Sequence, residues 1–106
     1  MGKRRSQVQF VEEDEELSLR LLLNSQNEND IRFGLRRVCE LYQKGTRLRA
    51  PQDVRVLIRH FVFDPQRRVD VIRWALKALV EFRDPSDFDL VHSRLINAPA
   101  DYESFS

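Results

Sequence analysis

Apolar residues recur along most of this chain at the three- and four-residue spacing of helices that bury one face. The clearest example is the segment 30–44, where Ile31, Leu35, Val38, Cys39 and Tyr42 form a single stripe. No segment shows the strict alternation of apolar and polar residues that is typical of a half-buried strand. The pattern therefore predicts an all-α fold.

Four further helices are predicted from similar stripes, over about residues 13–23, 51–63, 67–82 and 86–97. Residues that favour helix ends lie at the expected positions. Gly45 is expected to end the helix at 30–44, and Pro51 is expected to begin the next helix. The residues expected to face inward are Leu17, Leu21, Leu22 and Leu23 in the first of these four helices, Val54, Leu57, Ile58 and Phe61 in the second, Val71, Ala75, Ala78, Leu79 and Phe82 in the third, and Phe88, Val91 and Leu95 in the last.

These boundaries divide the chain into a flexible N-terminal arm, residues 1–12, a helical domain, residues 13–97, and a polar C-terminal tail, residues 98–106. No apolar run approaches the roughly 20 residues that a membrane-spanning helix needs. The single cysteine allows no internal disulfide. We therefore expect a cytoplasmic chain without integral membrane contact.

The predicted helices at 30–44 and 67–82 carry the same apolar pattern at an offset of 40 residues. The turn before the later helix holds Asp64 and Pro65. The matched positions are Ile31 and Val71, Leu35 and Ala75, Val38 and Ala78, Cys39 and Leu79, and Tyr42 and Phe82.

This pattern resembles the second helix of a HEAT repeat, the unit of an armadillo-type α-solenoid, in which a valine and arginine pair precedes an A-x-x-A-L core. Ile31 and Arg32 match that pair in the first copy, whereas Ile72 stands at the arginine position of the second copy. The resemblance covers residues 13–97. It implies two antiparallel helix pairs and a lone C-terminal helix, stacked as a short right-handed solenoid; the alternative is a generic five-helix bundle.

A stack of this size is expected to be incomplete, because about three repeats are usually needed to bury each other's faces. The fifth helix has no mate in the sequence. Phe88, Val91 and Leu95 are therefore expected to line an open apolar end that a partner or a second copy would cover.

The net charge of +1 conceals a strong segregation along the chain. Residues 1–31 carry a net charge of −3, residues 32–77 of +8 and residues 78–106 of −4, and ten of the twelve cations in the middle block are arginines. Arginine makes planar, bidentate contacts with carboxylates and phosphates, which favours specific docking.

In HEAT-like proteins the second helix of each pair forms a concave face that commonly binds partners. By that resemblance, Arg37 and Lys77 would lie side by side in such a groove. The predicted partner-binding residues are Arg32, Phe33, Arg36, Arg37, Arg73, Trp74 and Lys77, and a secondary basic surface is predicted at Arg55, Arg59, Arg67 and Arg68.

Two kinds of partner suit such a basic face. An acidic protein segment would be held by arginine–carboxylate pairs, and this interpretation predicts a non-catalytic interaction or scaffold module. The alternative is a nucleic-acid-binding domain that contacts phosphates, although the acidic flanks would repel them. A third hypothesis is a small structural protein that self-associates and covers its own open end.

The sequence does not favour catalysis. His60 and His92 are isolated, with no cysteine or carboxylate at a ligand or catalytic spacing. Cys39 occupies a core position of the repeat, and the acidic run at residues 12–16 resembles a solvated helix start. We therefore expect no enzymatic activity, no cofactor and no metal site.

Overall fold

The computed structural model of the protein describes residues 8–96, and these residues are almost entirely helical. The all-α prediction is confirmed. The helices in this part of the chain are α1 (Glu13–Leu23), α2 (Glu28–Gln43), α3 (Pro51–Phe63), α4 (Val69–Phe82) and α5 (Phe88–Ile96), with a 3-10 turn at Pro85–Asp87 before α5.

The two central helices are α2 and α4, which pack against each other along their lengths. Arg32 contacts Asp70 near the start of both helices, and Gln43 contacts Glu81 near their ends, so α2 and α4 run parallel. The helix α1 packs on α2, α3 packs on α4, and α5 adds to α4. Contacts of α1 with the start of α3 and with the connection before it place these two helices on the same side of the central pair.

The core stripe predicted for α2 is confirmed, because each of its five residues is buried. The predicted stripes of α3 and α4 are confirmed in most positions. Leu57 and Phe82 are only partly buried, whereas Val62 and Leu76, which were not predicted to face inward, are fully buried. The repeat pattern thus identified most of the core formed by the two central helices.

The stripe predicted for α1 is confirmed at Leu23 but wrong at Leu17 and Leu21. Leu17 and Leu21 are 59% and 67% exposed, and the buried positions are Glu16, Leu19 and Leu23. The segment Leu17–Leu23 carries leucine at almost every position, so two helix phases are compatible with its apolar content. The phase that is adopted turns the side chain of Glu16 inward, where it has partners on the α2–α3 connection.

The inward orientation predicted for Phe88 is also wrong, since Phe88 is exposed. The preceding residue, Asp87, is 1% exposed and binds two arginines of α3. One residue along a helix turns the side chain by about 100°, so burying Asp87 moves Phe88 toward solvent. Val91 is buried as predicted, and the side chain of Leu95 lies outside the described residues.

The N-terminal segment that was assigned to a flexible arm is joined to the helices in its described part. The two-residue strand β1 (Gln9–Phe10) pairs in parallel with β2 (Thr46–Arg47) on the α2–α3 connection. Val11 is buried, and its carbonyl accepts a hydrogen bond from the Arg49 guanidinium at 2.8 Å. Residues 1–7 and the predicted tail at 98–106 lie outside the described residues.

Local chemistry explains where α2 begins and ends. The side chain of Asn27 accepts a hydrogen bond from the Asn29 backbone N–H at 2.8 Å, which caps a helix that starts two residues before the predicted position. At the other end Gly45 has a φ of 89°, the left-handed conformation that glycine adopts without steric cost. The predicted glycine stop is therefore confirmed.

The carboxylate of Glu16 joins α1 to the start of α3. Its Oε1 accepts the Arg49 backbone N–H at 2.7 Å and its Oε2 accepts the Ala50 backbone N–H at 2.9 Å. Ala50 has no side-chain oxygen to cap α3, so a carboxylate from another helix binds the amides that precede Pro51. Glu16 is only 6% exposed, which makes it a buried charge with specific partners.

Replacing Glu16 is expected to destabilise the fold. A hydrogen bond to a charged group contributes about 1.5–3 kcal/mol, so we expect Glu16→Ala, which removes two, to lower the free energy of unfolding by roughly 3–6 kcal/mol. Glu13→Ala, at an exposed position on the same helix, should cost less than about 1 kcal/mol. Urea denaturation measures both variants, and equal midpoints for the two would contradict this role for Glu16.

Candidate functional site

The predicted partner-binding residues lie mainly on the exposed sides of α2 and α4. We call the surface formed by these residues the α2–α4 face: Arg32, Phe33 and Arg36 on α2, and Arg73, Trp74 and Lys77 on α4. The contact between Arg32 and Asp70 shows which residues of the two helices lie side by side. One turn further along each helix, Arg36 and Trp74 follow on the same sides.

Two aromatic residues give the α2–α4 face its apolar character. Phe33 is 61% exposed, in agreement with the predicted helix phase. Trp74 is partly buried and packs against the core, and the Lys77 ammonium lies 5.3 Å from the centroid of its ring. This distance allows a cation–π interaction, which holds Lys77 over the tryptophan.

The cations on the α2 side of this face are only weakly engaged. Arg36 has a side chain that is 62% exposed and pairs with Glu40 of its own helix at 3.4 Å. Arg32 pairs with Asp70 at 3.6 Å. Exposed pairs of this kind typically contribute 1 kcal/mol or less, so a partner's carboxylate can compete for both guanidinium groups.

Arg37, which was predicted to line the groove with Lys77, is bound by two carboxylates. Its Nε donates to the Glu15 carboxylate at 2.7 Å and its Nη1 to Glu40 at 3.5 Å, so the side chain turns toward α1. The hydrogen bond with Glu15 is the main reason that the pKa of Arg37 is raised. Arg37 therefore links α1 to α2, and we do not retain it in the α2–α4 face.

Two arginines of the predicted secondary basic surface bind acidic residues of the turn before α5. The Arg55 guanidinium contacts Asp87 at 2.7 Å and Asp84 at 3.3 Å, and Arg59 also contacts Asp87. The Arg55 side chain is only 15% exposed. These residues attach the α5 region to α3 and present little cationic surface to a partner.

The other two arginines of that surface lie in the α3–α4 connection. The Arg67 guanidinium donates to the Glu28 carboxylate at 2.6 Å, lies 3.3 Å from Asp64 and stacks over the Phe61 ring. Arg68 pairs with Asp70 at 3.3 Å. The arginines of the predicted secondary surface are therefore largely paired with carboxylates of the same chain. The acidic segments on either side of the basic block in the sequence indicated that such pairs could form.

A cavity of about 370 Å³ and a second of about 230 Å³ lie near α1 and α3, and Arg20 lines both. A third, of about 200 Å³, is lined by Tyr42, Phe82 and the side chains around the start of α3. No sequence pattern predicted these cavities. They lie between helices that are distant in sequence, and no local pattern reports how far apart such helices lie.

The chain contains two histidines and one cysteine. His60 and His92 are exposed on different helices, and no three His, Cys, Asp or Glu side chains within residues 8–96 are grouped as metal ligands would be. Cys39 is buried, and burial raises the pKa of its thiol to about 12, which keeps it protonated at neutral pH. Within the same residues, no helix is long and apolar enough to span a membrane.

Comparison of the chain with known protein families, with curated proteins and with solved structures finds no match. The resemblance to HEAT repeats therefore rests on the residues quoted for it.

The raised pKa of Cys39 predicts a specific loss of stability at alkaline pH. In the unfolded chain the thiol ionises near pH 8.5, whereas the folded protein retains the proton until about pH 12. Stability from this group is thus complete below pH 8.5 and is lost as pH rises toward 12. Above pH 9 we expect the free energy of unfolding to fall by up to about 1.4 kcal/mol per pH unit more than in Cys39→Ala.

Urea denaturation of both proteins at pH 8, 9 and 10 measures this difference. The two proteins differ only at position 39, so the comparison isolates the thiol. Parallel pH dependence would contradict the predicted cost of ionising Cys39.

The ion pairs of Asp87 predict a second stability effect. Asp87→Asn removes the negative charge that faces Arg55 and Arg59, so we expect the free energy of unfolding to fall by roughly 2–4 kcal/mol. Asp89→Asn is the matched control, because Asp89 is exposed two residues later, and it should change stability by less than about 1 kcal/mol. A neutral effect of Asp87→Asn in urea denaturation would show that these pairs add nothing to stability.

Proposed function

We propose that this protein is a non-catalytic interaction module, built from HEAT-like helix pairs, that docks an acidic protein segment on the α2–α4 face. The observation that carries the proposal is the exposed ring of Phe33 beside the accessible guanidinium of Arg36. Aromatic and arginine side chains are the residue types that most often dominate binding energy at interfaces.

The charges of the α2–α4 face favour a partner with few, well-placed carboxylates. Arg36 and Lys77 can pair with acidic groups, but Glu40, Asp70 and Glu81 lie among the cations and would repel a uniformly anionic chain. An apolar or aromatic side chain of the partner would pack on Phe33 and on the accessible part of Trp74. The proposed ligand is therefore a short segment that combines acidic and apolar residues.

The same ion pairs make nucleic acid a weaker candidate. Binding to a phosphate backbone needs several cations that can replace counterions. Arg37, Arg55, Arg59 and Arg67 are instead paired with carboxylates of other elements, which reduces the positive field of the middle block. Nucleic acid binding is therefore the alternative outcome, which an oligonucleotide in the binding experiment can detect.

The packing order supports the HEAT-like part of the proposal. Two consecutive helix pairs contact each other through their second helices, α2 and α4, as expected for stacked repeats. Val69, Val80 and Phe88 remain about half exposed on α4 and at the start of α5. A third repeat or a self-associating copy would cover such residues, which agrees with the proposal of an incomplete stack.

A labelled peptide tests the acidic-partner proposal directly. We expect a tryptophan-free peptide with glutamates around a central leucine and phenylalanine to bind saturably and to change the emission of Trp74, the single tryptophan of the chain. Arg36→Glu combined with Lys77→Glu should weaken binding, measured by fluorescence anisotropy, by tenfold or more. Phe33→Ala should weaken it by roughly fivefold or more, since truncated anchors cost over about 1 kcal/mol.

The matched control is Lys44→Glu combined with Arg94→Glu, which changes the net charge equally at exposed positions outside the face. This control should bind the peptide almost as the unchanged protein does. Equal weakening by both double variants would contradict the proposed location. A single-stranded oligonucleotide that binds more tightly than the peptide, with a steep salt dependence, would favour nucleic acid instead.

A further inference from the structure

A second surface, on the opposite side of the central helices, has the features of a helix-docking groove. The helices α1 and α3 pack mainly on α2 and α4 and little on each other, which leaves a depression between them. The smaller of the two cavities that share Arg20 lies in this depression, and the larger one lies beside it, between α1 and Arg49 of the α2–α3 connection. We call it the α1–α3 groove and define it by Glu13, Asp14, Leu17, Arg20, Leu21 and Leu57.

Leucine side chains give this groove an apolar lining. Leu17 lines the larger cavity and Leu57 the smaller one, and Leu21 follows Leu17 one turn along α1. More than half of the surface of both α1 leucines is exposed. Single exposed leucines are ordinary, but Leu17 and Leu21 lie one turn apart on the same side of α1, so together they form an apolar strip next to the larger cavity, which Leu17 lines.

The charges around the α1–α3 groove are predominantly negative. Glu12, Glu13 and Asp14 form no ion pair with any residue in the range 8–96. The cations nearby are already engaged, since Arg20 pairs with Asp53 at 3.0 Å and Arg49 donates to the Val11 carbonyl. The Asp53 side chain is 73% exposed, so even this paired carboxylate remains accessible to a partner's cation.

The helix dipole accounts for only part of this arrangement. Acidic residues in the first turn of α1 are favoured by the positive end of the helix, with or without a ligand. The dipole does not account for the exposed leucines one and two turns later, nor for the cavities beside them. An apolar floor with an acidic rim favours a partner that carries both apolar and basic side chains.

We infer that the α1–α3 groove docks a basic amphipathic helix. The apolar side of such a helix, with residues at i, i+3, i+4 and i+7, would cover Leu17, Leu21 and Leu57. Its lysines or arginines would face Glu13, Asp14 and Asp53 at the rim. This inference does not rest on the α2–α4 face, and the two surfaces would take partners of opposite charge.

The probe for this inference is a labelled 18-residue peptide of leucine and lysine with leucine at helical spacing, compared with a scrambled peptide of the same composition. We expect saturable 1:1 binding of the amphipathic peptide, measured by anisotropy, and at least tenfold weaker binding of the scrambled one. Leu17→Ser combined with Leu21→Ser should weaken binding at least tenfold, and Glu13→Lys combined with Asp14→Lys should do the same.

The control is Val56→Ser combined with Phe63→Ser, which removes two exposed apolar side chains from α3 and should leave binding within about twofold. All altered positions are exposed, and urea denaturation checks that each variant still folds. The inference is overturned by equal binding of the scrambled peptide or by equal effects of the leucine and control variants. It is also overturned if the protein alone forms oligomers that the Leu17 and Leu21 changes dissociate, because a second copy would then be the occupant.

Discussion

The carboxylate of Glu16 accepts two backbone N–H groups at the start of α3 and thereby joins the first helix pair to the second. A buried carboxylate is stable only when hydrogen bonds replace the water that it loses, so the rotation of α1 and the path of the α2–α3 connection are coupled. This coupling orients the rest of α1. It buries Leu19 and Leu23 and turns Leu17 and Leu21 to the surface, where Leu17 lines the larger cavity of the α1–α3 groove.

Ion pairs between elements explain the charge pattern of the sequence. The acidic N-terminal block supplies Glu15 and Glu28, which bind Arg37 and Arg67 of the basic block. The acidic C-terminal block supplies Asp87 for Arg55, and the turn that carries Asp87 leads into α5. Acidic and basic residues that are segregated along the chain are thus adjacent in space. Much of the apparent basic surface is part of the structure that holds the helices together.

The charges that remain accessible differ between the two sides of the molecule. Arg36 and Lys77 lie with two aromatic rings on the α2–α4 face, whereas Glu13 and Asp14 lie beside leucines at the α1–α3 groove. A module with two such surfaces could bring together two partners of opposite charge. The two surfaces share no residue, so each can be altered without changing the other.

The sequence alone determined the helical class, most helix boundaries, the buried stripes of α2 and α4 and the exposure of Phe33, because spacing along a helix sets which residues share a face. Only the tertiary structure decided which leucines of α1 are buried and that Asp87, not Phe88, turns inward, since both depend on carboxylates finding partners more than 30 residues away. The same holds for the docking surface. The sequence identifies Arg36 and Arg37 as neighbouring cations, but the position of Glu15 on an adjacent helix decides that Arg37 is engaged and Arg36 is accessible.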